Sequence, residues 1–180
     1  VFAAADPAPR WHMLDRCLVA AESHGLPSLI VITKLDLVSG TPEEDEVLAA
    51  VERYRAIGYR IILTSAHQRD GLDDLRRALG GRTSVLVGKS GVGKTTLLNA
   101  LEPGLGLRVQ AVNDSTGKGR HTTTFLEMFP LCSSGAIVDT PGMRELGIVD
   151  VYPEELADFF TEMRPLVGHC RFGLSCAHDE

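Results

Sequence analysis

The stretch Gly88-Lys89-Ser90-Gly91-Val92-Gly93-Lys94-Thr95 constrains this chain more than any other. It satisfies the spacing G-x-x-x-x-G-K-[ST], with apolar Val85-Leu86-Val87 before it and Thr96-Leu97-Leu98-Asn99-Ala100-Leu101 after it. That context predicts a strand, a glycine loop and a helix. Glycines reach backbone conformations closed to other residues, so the N–H groups from Lys89 to Thr96 can turn toward phosphate oxygens. The positive end of the helix dipole then faces the same anion. Lys94 reaches the outer phosphates, and the Thr95 hydroxyl suits magnesium, a hard cation that prefers oxygen. The competing reading, a glycine-rich turn with no ligand, is disfavoured by the flanking strand and helix.

At 180 residues the chain is long enough for one well-buried domain, with little left for a second. Residues 1–150 read as that domain, and 151–180 as the beginning of another. The net charge of −6 argues against this segment alone anchoring strongly to nucleic acid. No apolar run approaches membrane-spanning length and no signal peptide is visible, so no membrane association is expected. The first residue is Val rather than Met, which suggests a longer parent protein. Cys17 and Cys132 sit singly in apolar surroundings and read as core or edge residues, whereas Cys170 and Cys176 lie near His178 at the end. This is not the pattern of a secreted disulfide scaffold, and a reducing cytoplasm is expected.

Short strands and helices alternate through the first half. Val1-Phe2-Ala3 reads as a strand tail, Trp11 to His24 as a helix stopped by Gly25, and Ser28 to Thr33 as a buried parallel strand. Thr41-Pro42-Glu43-Glu44 is a helix-start signature with Glu44 placed for a capping box. That helix runs to Ile57, with strand Tyr59 to Thr64, helix Leu72 to Leu79 and strand Thr83 to Val87 following. The expected architecture is a three-layer α/β fold with a mostly parallel sheet, in which ligands sit beyond the carboxyl ends of the strands. After the phosphate-loop helix, Gly104 to His121 reads as a loop, Phe125 to Leu131 and Gly135 to Val138 as a hairpin or neighbouring strands. Pro153 to Met163 reads as a final helix with Phe159, Phe160 and Met163 on its apolar side.

Three further stretches carry chemistry. Val138-Asp139-Thr140-Pro141-Gly142 ends an apolar strand, where a carboxylate can hold a magnesium-bound water and the Gly142 N–H can touch a terminal phosphate; alone, it is also a common turn. Thr33-Lys34-Leu35-Asp36 ends another strand. Guanine offers two adjacent donors that one carboxylate accepts together, which adenine does not, so Asp36 is the candidate base reader, with the Lys34 stem along the purine face. Thr64-Ser65-Ala66 offers a backbone N–H to guanine O6.

Together these stretches resemble the signature motifs of the GTPase superfamily, in an unusual order. Thr33-Lys34-Leu35-Asp36 and Ser65-Ala66 precede the P-loop, and Gly117-Lys118-Gly119-Arg120-His121-Thr122-Thr123-Thr124 and Asp139 to Gly142 follow it. This is a circular permutation. With the Gly-Arg-His-Thr-Thr-Thr stretch and the terminal Cys/His cluster, it resembles the ribosome small subunit-dependent GTPase A family (RsgA/YjeQ). The resemblance implies a circularly permuted P-loop NTPase fold and slow GTP hydrolysis to GDP, stimulated by the ribosome late in 30S maturation. It also implies contact with rRNA, magnesium as cofactor, a preceding OB-fold and a zinc-containing domain after it. Thr33 stands where GTPases most often have Asn. Five residues separate Cys170 from Cys176, a longer gap than the family's, so Cys170, Cys176 and His178 form an incomplete zinc set, with His169 as a candidate fourth donor.

Many GTPases orient the attacking water with a glutamine after the Asp-x-x-Gly turn, where this chain has Met143. A thioether cannot orient water. The family resemblance assigns that role to His121, which imidazole chemistry permits; read by itself, His121 is an exposed loop histidine. Thr123, rather than Thr122, is expected to close on magnesium beside Thr95 and Asp139. Two other readings stay open: a nucleotide-dependent binding module with negligible turnover unless a partner is present, and a P-loop ATPase, which Asp36 with Ser65-Ala66 disfavours. A monomer is expected.

Overall fold

The computed structural model describes residues 1–6, 8–107, 127–139 and 151–169, with only the backbone of Phe2, Glu127 and Asp139. Within them the chain runs β1 (Phe2–Ala4), α1 (Trp11–Ser23), β2 (Leu29–Thr33), α2 (Pro42–Ile57), β3 (Arg60–Leu63), α3 (Leu72–Leu79), β4 (Thr83–Leu86), α4 (Lys94–Leu101), β5 (Glu127–Leu131) and β6 (Gly135–Asp139). The strands form two hydrogen-bonded ladders. β1-β2-β3 is wholly parallel, and in β4-β6-β5 the β4–β6 pair is parallel while β5 returns antiparallel through a turn at Ser134.

β2 explains the layering. Its run Leu-Ile-Val-Ile-Thr has no polar face because both faces are covered. Ile30 and Ile32 pack with Leu14 and Leu18 of α1 and Val47 and Val51 of α2. Val31 points the other way, into a core with Leu75 and Leu79 of α3, Leu97 and Leu98 of α4, and Ile137 of β6. That second core joins the two ladders. Successive side chains on opposite faces of a strand thus produce three layers.

The helix boundaries follow local chemistry. Pro42 occupies the first position of α2, and Gly58, with φ 111°, closes it. The expected capping box at Thr41 is displaced by one residue: Glu44 accepts from the Gly40 N–H at 2.6 Å, and the Thr41 hydroxyl donates to the Val38 carbonyl at 2.7 Å. Gly71, with φ 69°, leads into α3 so close to β3 that a Cβ there would lie 2.0 Å from the Leu63 oxygen. Of the two described cysteines, Cys17 is buried; Cys132 is an exposed turn residue, not core. The neighbouring Glu102 carboxylate pushes the Cys132 thiol above its ordinary pKa, first through a hydrogen bond and then through charge.

The single α-helix predicted over Pro153 to Met163 does not form. Two 3-10 turns, Pro153–Phe159 and Arg164–Leu166, are separated by Phe160 in an extended conformation. An α-helix would set adjacent phenylalanines about 100° apart, so only one could face a groove. Here Phe159 and Phe160 both line a small cleft with Leu18, Tyr54, Ile57 and Tyr59. Met163, expected on the apolar side, is 41% exposed. This arm is fastened to α1 by Arg164 to Glu22 at 2.7 Å, and Tyr59 meets Thr161 at 3.3 Å.

Candidate nucleotide site

The glycine loop occupies the turn its sequence predicts. Gly91 and Gly93 have φ of 82° and 93°, a region costly for side-chain-bearing residues. Lys94, buried at the start of α4, donates from Nζ to the carbonyls of Gly88 at 2.6 Å and Lys89 at 3.2 Å. The loop's own oxygens therefore hold the ammonium. Thr95 follows on the first turn of α4, half-buried, and its hydroxyl makes no hydrogen bond among the described residues. Asp139 pairs in register with Leu86 at the end of β6, which sets its backbone level with the strand that enters the loop. Both are oxygen-bearing residues at the phosphate end, a donor type that fits magnesium.

The neighbouring strand ends supply the other half. Lys34, with φ 59°, turns the chain sharply out of β2 into a 3-10 turn, Leu35–Leu37, that carries Asp36. The Leu35 N–H donates to the Thr64 carbonyl at 3.3 Å, while the Thr64 N–H and hydroxyl both donate to the Ile32 carbonyl at 2.7 and 2.9 Å. These bonds lock the ends of β2 and β3 side by side. Lys34 donates from Nζ to the Asp6 carbonyl at 3.1 Å, and its Cε lies 3.8 Å from where a Cβ on Gly93 would sit. Its stem is thus laid against the glycine loop.

Two sequence expectations are refined. Ser65 is buried, its N–H donates to the Asp70 carbonyl at 3.2 Å, and its Oγ accepts from the Gln68 N–H at 3.0 Å. It is committed to the loop's own structure. The Ala66 N–H makes no hydrogen bond among the described residues and remains for a ligand. Thr33 turns toward the phosphate loop: buried, it donates to the Val92 carbonyl at 2.5 Å and lies 3.4 Å from the Ala3 carbonyl. Asp36 is half-buried and has no hydrogen bond or ion pair among the described residues. An unpartnered carboxylate there is open to donors from outside.

Thr33, Lys34, Asp36 and Ala66 meet Gly93 and Thr96 around one cavity of about 230 Å³. Residues that the sequence assigns to a base and to phosphates, distant from each other along the chain, therefore share one compartment. Leu37 and His67 also line it. Sequence reasoning passed over both, although each directly follows a residue it had singled out. Lys89, Ser90, Gly91 and Val92 complete the loop. His121, Thr122, Thr123, Gly142, Met143, Cys170, Cys176 and His178 lie outside the described residues. His169 is exposed, and among the described residues no group of three His, Cys, Asp or Glu side chains comes together as a metal site.

Known proteins share this arrangement. The family model described as RsgA GTPase matches residues 1–149. The chain is 49% identical over 178 residues to the "Small ribosomal subunit biogenesis GTPase RsgA" of Gemmatimonas aurantiaca, covering 99% of this chain and 56% of that protein. For the protein of the same name from Moorella thermoacetica the identity is 43%, over 99% of this chain and 59% of that one. Among solved structures, YjeQ from Thermotoga maritima superposes with a TM-score of 0.78 at 33% identity, covering 99% of this chain and 60% of that one. YloQ, described as a circularly permuted GTPase, gives 0.75 at 33% identity, covering all of this chain and 56% of that one. The chain thus spans little more than half the length of these relatives. Its permuted motif order, its parallel α/β fold and the match over residues 1–149 agree: the chain belongs to the RsgA GTPase family.

Proposed function

We propose that this chain is the nucleotide-binding part of a GTP-hydrolysing switch that acts in late maturation of the small ribosomal subunit, in the cytoplasm. The observation that carries the reading is the shared cavity in which Asp36 and Ala66 face the same space as Gly93 and Thr96. A carboxylate beside a free backbone N–H complements the donor and acceptor edge of guanine and not that of adenine. The names of the relatives, small ribosomal subunit biogenesis GTPases, support the ribosomal role.

Lys94 exchanges its loop carbonyls for the outer phosphates, and the N–H groups from Lys89 to Thr96 hold the phosphate oxygens. Thr95, Asp139 and Thr123 are the residues that would hold magnesium. The ion, when bound, neutralises charge between the outer phosphates. His121 accepts a proton from, or orients, the attacking water, a task Met143 cannot perform. The Gly142 N–H senses the last phosphate, and a shift there moves the arm beyond residue 150, where the second domain begins. Cys170, Cys176 and His178 are part of a structural zinc set completed in the longer protein, and the folded chain works as a monomer.

Titration with GDP and ADP tests the base, and single-turnover hydrolysis with and without small ribosomal subunits tests the switch. GDP should bind and ADP should not; His121→Ala should slow hydrolysis about 100-fold while GTP still binds. Equal binding of ADP would overturn the base assignment. A nucleotide-dependent binding module with negligible turnover of its own, the reading Met143 leaves open, would bind nucleotide and show a hydrolysis rate that stays flat when subunits are added.

A further inference from the structure

We propose that His67 closes the base compartment, its imidazole lying against the face of the guanine ring, with Leu37 covering the ring's outer edge; this rests on the GTP reading above. Asp36 follows β2 and Ala66 follows β3, and the ends of these strands are locked together by the bonds through Thr64. A flat ring whose edge reaches both Asp36 and Ala66 must lie across the two loops. The side chains next in line on those loops, Leu37 and His67, line the same cavity.

Both are exposed. Leu37, 55% exposed, presents apolar surface to the cavity it lines. His67 is exposed and makes no hydrogen bond or ion pair among the described residues. Neither packs into a core cluster among the described residues. A purine entering between them buries the leucine and gives the imidazole a π-face to stack on. Stacking reads flatness, not the exocyclic amine, so His67 contributes affinity for the ring while Asp36 contributes the choice of base.

The test compares GDP and inosine diphosphate, which lacks the exocyclic amine, on the 180-residue chain. His67→Ala should weaken both by about the same factor, about tenfold, and His67→Phe should restore both. In His67→Trp, GDP should quench the new indole. The native Trp11 packs against Tyr54, with ring centroids 5.8 Å apart, in the α1–α2 layer away from this cavity and supplies a constant background. Unchanged GDP affinity in His67→Ala, or loss of GDP with inosine diphosphate spared, overturns the stacking role while the nucleotide site stands. Failure of the parent chain to bind GDP overturns the GTP reading itself, and this inference with it.

Discussion

The Thr33 hydroxyl donates to the Val92 carbonyl across 2.5 Å, bridging 59 residues between the end of β2 and the phosphate loop. Both groups are buried, so neither has water as a substitute partner. The bond ties the end of β2, which leads to Asp36, to the glycine loop. Thr33→Val keeps the shape and removes the donor, which leaves the Val92 carbonyl unsatisfied at a cost of about 1–3 kcal/mol. GDP affinity should fall and thermal unfolding should move down, whereas Thr33→Ser should keep both. Parent-like GDP titration and melting in the valine variant would show that the bond is incidental.

Asp36→Asn replaces one carboxylate oxygen with a donor. The amide N–H opposes one of guanine's paired donors and donates to the second carbonyl that xanthine presents there. Competition between GDP and xanthosine diphosphate should invert, with GDP losing about 100-fold, or about 2.7 kcal/mol. Unchanged nucleotide preference would instead support the ATPase reading.

Gly71→Ala tests the junction beneath Ala66. Its Cβ would need to occupy space 2.0 Å from the Leu63 oxygen, at a φ of 69° that alanine rarely adopts. The backbone must move, and urea unfolding should show a loss of about 3 kcal/mol. A loss under half that size would mean the strand end yields easily.

The arm at 151–169 sets an ion pair against two half-buried rings. The Arg164 and Glu22 side chains are 46% and 20% exposed, so their pairing contributes no more than about 1 kcal/mol. Phe160 is partly buried in the cleft it shares with Leu18, Tyr54, Ile57 and Tyr59, and its truncation should cost more, about 2 kcal/mol. Limited proteolysis should therefore release the arm readily in Phe160→Ala and little in Arg164→Ala. The reverse order would make charge the principal fastening.

Cys132 offers a chemical probe of pKa. Its thiol is raised by Glu102, so less thiolate is present near pH 8 than at an ordinary cysteine, and alkylation should be slow. Glu102→Gln removes the carboxylate's charge, lowers the thiol pKa and should speed alkylation of Cys132, read by peptide mass mapping. Buried Cys17 should stay unmodified in both.

Much of this fold is legible in the sequence because its signals are local. The glycine loop, the all-apolar β2 and the proline and glycine bounding α2 each predict their element from a few residues, and the structure places them there. What sequence reading missed depends on contacts made across the fold. Nothing near Ser65 announces that Asp70 takes its N–H, and nothing near Thr33 points to Val92. The arm misled because Phe159, Phe160 and Met163 have helical spacing, while the cleft by Tyr54 and Tyr59 accepts two adjacent rings. Leu37 and His67 carry no motif, and only the cavity brings them to notice.

The core between the first ladder and α1–α2 draws all its buried residues from positions 3–61. On a nascent chain those residues are made before Gly88, and folding during synthesis runs from the N-terminal side. The base-reading scaffold can form first, with the ends of β2 and β3 already side by side. Permutation thereby fixes an order of synthesis: the glycine loop is made after the ends of β2 and β3 and is received by a hydroxyl, that of Thr33, already made.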